Sequence, residues 1–382
     1  MNLDQHENDV VFSQPLPPNG DELCPPLPEE LIVEILLRLP VRSLLQFKCI
    51  CKFWKTLISD PKVVKRHLQF SSSSLIHQRL FFSQLSEPQE IVSYPLKPLF
   101  GNLLPPVTSN WVMKNPYYII GSCNGLLCLY NRYQHCVKLR NPSIMFKSDK
   151  SPRAVSLDWM NIQYGFGYDR VNDKYKVLLG LRNKNDPNLT LTKVYTFGDD
   201  SWKTIQNFDL TPTRQFSLLG KFVSGTLNWI AKKRGVSSNQ SAILILSFDL
   251  EKDTYKELLL PQDDGEKVYG HTLYVLNNCL GVCYETNKTH WVVWLMKEYG
   301  VVESWTRFMI IPLDKSNKQP AIVIPLFLLE NGVVLLVNKY TSQFVLYNLN
   351  SGELDYSLDY SSKGISNFRH NLHICCESLV SI

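Results

Sequence analysis

One short pattern has the residue types of a catalytic site. Gly121-Ser122-Cys123-Asn124-Gly125 has the form of a nucleophile elbow, in which a cysteine attacks a substrate from a sharp turn. That chemistry requires a helix after the nucleophile, together with a histidine and an acid from elsewhere in the chain. Here the alternating segment LLCLY follows and predicts a strand, and Asn-Gly is a common hairpin turn. We therefore interpret the pattern as a hairpin and predict no catalytic residue.

Two further patterns suggest a metal site and a nucleotide site. His370, His373, Cys375 and Cys376 are zinc-ligand types, but residues 375 and 376 would point to opposite sides of a strand. Gly165-Phe166-Gly167 lacks the third glycine and the following helix of a dinucleotide-binding loop. We therefore expect a strand with buried thiols, and no metal or other cofactor.

The composition is typical of a globular protein with a sizeable core. The chain has 382 residues, of which 44% are hydrophobic and 12% aromatic. Its 40 basic and 35 acidic residues are too evenly spread to indicate nucleic acid or a membrane surface as a partner. Ten cysteines without a regular framework, and no apolar signal segment, predict reduced thiols. We expect the protein in the cytoplasm, the nucleus or both.

The segment from Leu27 to Ile58 is the most apolar helical part of the chain. Seven of the eleven residues from 29 to 39 are large and apolar, and Glu30, Glu34 and Arg38 form one narrow polar stripe. Such a helix requires burial on nearly every side, but a module of about forty residues covers one side only. Either the rest of the chain or another protein must cover the other side.

Changes in composition divide the chain into four parts. We predict a disordered tail over 1–24, a three-helix module over 25–70, a serine-rich hinge over 71–78 and an all-β domain over 79–382. Pro40 ends the first helix of the module, and Asp60-Pro61 is the N-cap and first position of a further helical turn.

The all-β part contains an internal repeat. One kind of tight turn, each followed by an alternating strand, recurs at intervals of 48, 52, 53 and 54 residues, with its second residue at Gly125, Asp173, Gly225, Asn278 and Gly332. A second turn follows each of these, near Pro142, Asp199, Leu250, Gly300 and Gly352. Two hairpin turns in each unit of about fifty residues are typical of four-stranded propeller blades of the kelch type.

The repeat predicts an irregular kelch-like β-propeller of six or seven blades. Strand-like segments at 79–96 and 371–382 could form a closing blade from both ends of the chain. The fold class is therefore α+β, with a small three-helix module before a large all-β domain. In true kelch repeats a Gly-Gly pair opens each blade, and no consecutive Gly-Gly pair does so here. An irregular pair of β-sandwiches is the structural alternative.

The segment LPEELIVEILLRLPVRSLLQFKCICKFWKTLISDP, residues 27–61, resembles the F-box without a gap. The resemblance implies docking on the Skp-type adaptor of cullin-based ubiquitin ligases, and through it on cullin and a RING protein. The adaptor-binding residues that it implies are Leu27, Pro28, Leu31, Ile35, Leu36, Leu39, Pro40, Leu44, Leu45 and Trp54.

The β region resembles the associated domain of a very large plant family, often labelled F-box/kelch-repeat. The similar segments are GSCNGLLCLY (121–130), NPS (141–143), YGFGYDRVNDKYKVL (164–178) and SGTLNWIA (224–231). The resemblance implies a non-catalytic subunit that binds a protein to be ubiquitinated.

Two hypotheses for function follow. In the first, the β domain is a substrate receptor, and aromatic residues near its loops are candidate contacts, namely Trp111, Tyr117, Tyr118 and Trp159. Its candidate binding loops are 105–118, 150–162, 183–192, 210–217, 232–240 and 262–270. In the second, the protein is a propeller that binds a protein or a sugar, and its helical module packs only on its own β domain.

Overall fold

A computed structural model describes most of the chain. The described residues are 27–83, 91–101, 110–111, 117–186, 189–205, 218–234, 241–262, 268–287, 289–312, 323–338, 343–355 and 372–382. The tail predicted to be disordered, 1–24, lies outside the described residues. Among the described residues, no helix is long and apolar enough to cross a membrane.

The N-terminal module contains four helices. They are α1 (Glu29–Leu37), α2 (Val41–Phe47), α3 (Lys52–Ser59) and α4 (Pro61–Ser73). The predicted cap is present, because the Asp60 carboxylate accepts a hydrogen bond from the Lys62 backbone N–H at 2.6 Å. The further helical turn that the sequence predicted after this cap is a fourth helix of thirteen residues.

The hinge predicted over 71–78 is a packed junction in the structure. The first three serines of the run lie at the end of α4, where the hydroxyls of Ser72 and Ser73 donate to the carbonyls three residues earlier. A 3₁₀ turn over Leu75–His77 leads directly into the first strand at Gln78. The Gln78 amide donates to the Ser71 carbonyl at 2.8 Å, and Ser71 and His77 are buried. The serines therefore end a helix and do not form a linker.

Within the described ranges, the β domain contains twenty-four strands. In chain order they are β1 (Gln78–Ser83), β2 (Ile91–Pro95), β3 (Asn110–Trp111), β4 (Tyr117–Cys123), β5 (Leu126–Asn131), β6 (Cys136–Asn141), β7 (Phe146–Lys147), β8 (Trp159–Asp169), β9 (Lys174–Asn183), β10 (Thr190–Thr196), β11 (Lys203–Ile205), β12 (Lys221–Val223), β13 (Thr226–Arg234), β14 (Ser241–Asp249), β15 (Thr254–Leu258), β16 (Val268–Leu276), β17 (Cys279–Thr286), β18 (His290–Met296), β19 (Trp305–Pro312), β20 (Val323–Leu328), β21 (Val333–Asn338), β22 (Phe344–Asn348), β23 (Leu354–Asp355) and β24 (Leu372–Cys376).

The strands form six antiparallel four-stranded sheets, which are the blades of a propeller. Blade 1 contains β24, β1, β2 and β3, so both ends of the chain contribute to it as predicted. Blades 2 to 6 contain β4–β7, β8–β11, β12–β15, β16–β19 and β20–β23. Each blade shares a hydrophobic cluster with the next, and Leu80 of blade 1 packs with Leu335 of blade 6. The ring is therefore closed, which confirms a propeller and gives it six blades.

Strand order gives the ring two distinct faces. In each of blades 2 to 6, one predicted turn joins the first strand to the second, as at Asn124-Gly125, where both φ values are positive. The other predicted turn joins the third strand to the fourth, as at 142–145. Because neighbouring strands are antiparallel, all these turns lie on one face. β1 begins on that face directly after the helical module, so we call it the module face. We call the opposite side the loop face. It carries the hairpins between the second and third strands of each blade and the connections from one blade to the next.

Candidate docking surface of the helical module

The helical module has its own core, and half of the predicted adaptor contacts belong to it. Leu36 and Leu44 are each only 1% exposed and pack among the buried residues of the four helices. Leu39, Leu45 and Trp54 are partly buried against the same cluster. The structure therefore places Leu36 and Leu44 where they stabilise the module, not on its surface. α1 has apolar residues on most of its sides, so some of them face the core of the module and others face outward.

The outer face of α1 carries an exposed apolar stripe. Leu27, Leu31 and Ile35 are 48%, 52% and 50% exposed; Leu31 and Ile35 lie one turn apart on one side of the helix, and Leu27 lies just before its first turn. We call these three residues the docking stripe. Pro28 and Pro40, which precede α1 and α2, are also exposed. An aligned row of half-exposed large aliphatic residues is unusual on a free surface and indicates a protein-binding site.

The polar side of α1 is held against α4. The Glu34 carboxylate lies 3.4 Å from the Arg38 guanidinium on the same helix and 2.5 Å from the Arg66 guanidinium on α4. These ion pairs are half-exposed, so each contributes little to stability. The rotation of α1 about its axis is set by its buried face, Ile32, Val33, Leu36 and Leu37, which leaves the docking stripe turned outward.

A second exposed apolar group lies at the junction of α2 and α3. Ile50 is 63% exposed and Phe53 is 38% exposed. Trp54 next to them packs inward, with its ring 5.5 Å from that of Phe47 and 6.2 Å from that of Phe53. The sequence analysis missed Ile50 and Phe53. A signal existed for Ile50, because it lies in the turn between two helices and has no helix face on which to be buried.

The β domain covers one side of the module. Leu379 is 5% exposed and belongs to the module's core cluster, and Ile144 from the β6–β7 turn packs against the same cluster. The apolar helix therefore has its own domain on one side and the uncovered docking stripe on another. The sequence left open whether the rest of the chain or another protein covers this helix. The β domain covers one side of the module, and the docking stripe on another side is available to another protein.

The four aromatic candidates of the β domain all lie at strand ends on the loop face. Tyr117 is buried, with the Lys138 ammonium 3.8 Å from its ring centre, and burial raises its pKa to about 12. The Tyr118 hydroxyl lies 3.0 Å from that of Tyr164, so Tyr118 packs between blades 2 and 3. Trp159 is partly buried in the same cluster, and the side chain of Trp111 lies outside the described part. Three of the candidates thus stabilise the ring.

Other large apolar residues on the loop face are exposed. The sequence analysis did not single them out: Tyr133, Leu157, Leu189 and Leu218, which are 55%, 57%, 49% and 38% exposed. They lie on adjacent loops of blades 2 and 3 or just beyond them. A pattern search misses them because isolated apolar residues in loops have no periodicity.

The patterns that suggested chemistry have structural roles. Cys123 is buried at the end of β4, and its pKa is raised by burial, which is the opposite of what a nucleophile requires. Cys375 on β24 is buried, and its pKa is raised by burial as well. In the described ranges, no group of three or more metal-ligand side chains is arranged to hold an ion. His370 lies outside those ranges.

Comparison with known proteins agrees with this architecture. Residues 25–66 match the F-box domain, and residues 100–382 match the F-box associated beta propeller domain. The chain is an F-box protein with an associated β-propeller. An F-box implies binding to a Skp-type adaptor, and proteins of this family are typically non-catalytic adaptors.

Relatives in Arabidopsis thaliana match this F-box protein over most of its length. F-box/kelch-repeat protein At3g23880 is 32% identical over 353 residues, which covers 88% of this chain and 92% of the relative. F-box protein At3g07870 is 26% identical, covering 91% and 90%. F-box protein CPR1 is also 26% identical, covering 86% and 83%.

Proposed function

We propose that this F-box protein is the substrate-recognition subunit of a Skp–cullin–F-box ubiquitin ligase in the cytoplasm, the nucleus or both. The helical module docks on the Skp-type adaptor, which links the chain to cullin and a RING protein, and the propeller holds a protein substrate. The observation that carries the proposal is the docking stripe, an aligned apolar row left open on a helix whose other face is buried.

The exposed apolar surface is large enough for a stable contact. Full burial of one large apolar side chain contributes ~1.5–3 kcal/mol. The docking stripe together with Ile50 and Phe53 comprises five such side chains, each already partly buried. Completing their burial contributes roughly 4–8 kcal/mol before the costs of association are subtracted. Core residues such as Leu36 support this surface from beneath.

The loop face is the side on which we place the substrate. Candidate segments 150–162 and 183–192 join strands that end and begin on that face, and the helical module joins the ring on the other. A substrate bound there leaves the docking stripe free for the adaptor, and transfer follows from proximity, because other subunits perform the chemistry.

The alternative is a protein- or sugar-binding propeller whose helical module packs only on its own β domain. The contacts of Leu379 and Ile144 with the module core favour it, since they show that the β domain covers one side of the helices. It predicts no affinity for an adaptor.

Titration calorimetry with a purified Skp-type adaptor separates the two functions. We expect Leu31→Asp with Ile35→Asp, in the full chain, to weaken binding by at least about 100-fold. A matched control is Val171→Asp with Leu259→Asp, which changes two exposed apolar residues of the propeller and should leave binding unchanged. Absence of binding by the wild-type chain, or equal binding by both variants, contradicts the proposal.

A further inference from the structure

The chain ends in a short segment that leaves the propeller and packs on the helical module. We call residues 377–382 the C-terminal segment. It begins directly after β24, the strand that completes blade 1. Its first backbone N–H, that of Glu377, donates to the carbonyl of His77 at 2.7 Å, at the junction between α4 and β1. The segment therefore starts at the point where the two domains meet.

A buried polar lock fixes the segment to blade 2. The Asn141 side-chain amide donates to the Ser378 carbonyl at 2.9 Å and to the Val380 carbonyl at 2.8 Å. The Ser378 hydroxyl donates to the Asn124 carbonyl at 3.0 Å. Asn141 and Ser378 are both fully buried, so these hydrogen bonds have no competition from water.

The turn beneath the segment is built to admit it. A Cβ atom on Gly125 would lie 2.1 Å from the Ser378 hydroxyl oxygen and 2.4 Å from the Ser378 Cβ. Only glycine leaves that space, and its positive φ of 79° also suits the hairpin. The β4–β5 turn of blade 2 therefore serves as a seat for the C-terminal segment as well as a hairpin.

The residue between the locked positions points the other way, into the helical module. Leu379 is 5% exposed and packs with the core of the four helices, while Val380 packs on the cluster between blades 2 and 3. Alternate residues of the segment thus contact different domains. Leu379 is the buried side chain that the propeller contributes to the core beneath the docking stripe, and the partly buried Ile144 packs against the same cluster.

We infer that Leu379 is a positioning residue for adaptor docking, and that the helical module reaches its final structure only when the C-terminal segment is seated. β24 closes the ring and the segment continues from it, so the module's core is completed by a residue that is synthesised long after the module itself. The docking stripe is then fully ordered only on a chain whose propeller has closed. The adaptor part of this inference rests on the proposed function, and the structural part does not.

Hydrogen exchange on the full chain tests the structural part. We expect Leu379→Ala to accelerate backbone exchange in α1 and α4 by at least about tenfold, because it leaves a cavity in the module core. Exchange in blades 4 and 5, far from the segment, should stay at the wild-type rate and shows that the ring remains folded. The matched control is Ile382→Ala, an aliphatic residue of the same segment that is 52% exposed, and it should change neither region.

Adaptor affinity of the same variants tests the positioning role. We expect Leu379→Ala to weaken adaptor binding by about tenfold although it does not alter the docking stripe, and Ile382→Ala to bind like the wild type. Wild-type exchange rates in α1 and α4 of Leu379→Ala would overturn the inference, as would faster exchange with undiminished affinity. If the wild-type chain fails to bind the adaptor, the proposed function fails, and the exchange rates still decide whether the segment completes the module.

Discussion

The His67 imidazole donates a hydrogen bond from Nε2 to the backbone carbonyl of Leu39 at 3.0 Å, which ties α4 to the end of α1. Its Nδ1 lies 3.3 Å from the Ser71 hydroxyl, which donates to it. The Leu39 carbonyl can only accept, so Nε2 carries a proton, and in the neutral ring Nδ1 is then the acceptor for Ser71. His67 is fully buried, and burial lowers its pKa despite the hydrogen bond to Leu39. The helical module is therefore held together in part by an uncharged histidine.

The first prediction is that acid destabilises the junction between the domains. Because the His67 pKa is lowered, the unfolded chain binds this proton more readily, and stability falls as pH drops below the ordinary value of about 6.5. The ring also faces His77, with centroids 5.9 Å apart, and Glu377, whose carboxylate is 4.0 Å from His77. We expect the unfolding free energy of α4, from hydrogen exchange, to be smaller at about pH 5.5 than at about pH 7.5. His67→Gln should reduce this difference in unfolding free energy between the two pH values. An unchanged difference would contradict the assignment of His67 as the group that is protonated on unfolding.

The second prediction separates the two faces of α1. Leu36→Ala should lower the free energy of unfolding of the module by about 2–5 kcal/mol, because it empties a space in the core. Ile35→Ala, one residue away on the exposed face, should lower it by less than about 1 kcal/mol. Urea denaturation of the full chain, followed by exchange in α1, measures both. Similar costs for the two variants would mean that the faces are wrongly assigned.

The third prediction concerns the contact between blades 3 and 4. A Cβ atom on Gly165 would lie 2.6 Å from Leu227 Cδ1 and 2.9 Å from Trp229 Cζ2. Gly165→Ala should therefore lower the free energy of unfolding of the propeller by about 1–3 kcal/mol. Leu227→Ala in the same chain should recover part of the loss, because it removes the atom in closest contact. Additive costs in thermal unfolding would rule out this packing.

The sequence predicted those features of the fold that depend on local chemistry. Turns such as Asn124-Gly125 need residues that tolerate positive φ, and their spacing marks the blades. The sequence limited the number of blades to six or seven, and the structure gives six through the pairing of β1 with β24, which are far apart in the chain. The four serines resembled a linker by composition, and only their contacts show that they end α4.

The candidate site was predictable to a similar degree. The apolarity of α1 on most of its sides indicated a docking helix. For the same reason, the sequence does not show which of its apolar residues face the core of the module. Leu36 is only 1% exposed, whereas Ile35, one position earlier, is 50% exposed. The contribution of Leu379 could not be found from the sequence, since it comes from a residue more than 300 positions away.

The fourth prediction tests an ion network that links blades 3 and 4. The buried Lys176 ammonium lies 3.2 Å from the Asp169 carboxylate and 3.1 Å from that of Asp253. Lys176→Met should lower the free energy of unfolding by about 3–5 kcal/mol, because it leaves the buried Asp169 without its counter-ion. Lys203→Met is the control: this lysine also pairs with Asp253, but it is 65% exposed and should contribute less than about 1 kcal/mol. Equal effects in chemical denaturation would contradict a special role for Lys176.

Ubiquitin transfer in a reconstituted ligase tests the central claim most directly. The assay combines the full chain with a Skp-type adaptor, cullin, RING protein and a ubiquitin-loaded conjugating enzyme, and measures transfer to lysines of the chain itself. The account predicts transfer with the wild-type chain and its loss with Leu31→Asp and Ile35→Asp, while Val171→Asp with Leu259→Asp retains it. No transfer with the wild-type chain, or equal transfer with the docking-stripe variant, would contradict the assignment of this protein as a ligase subunit.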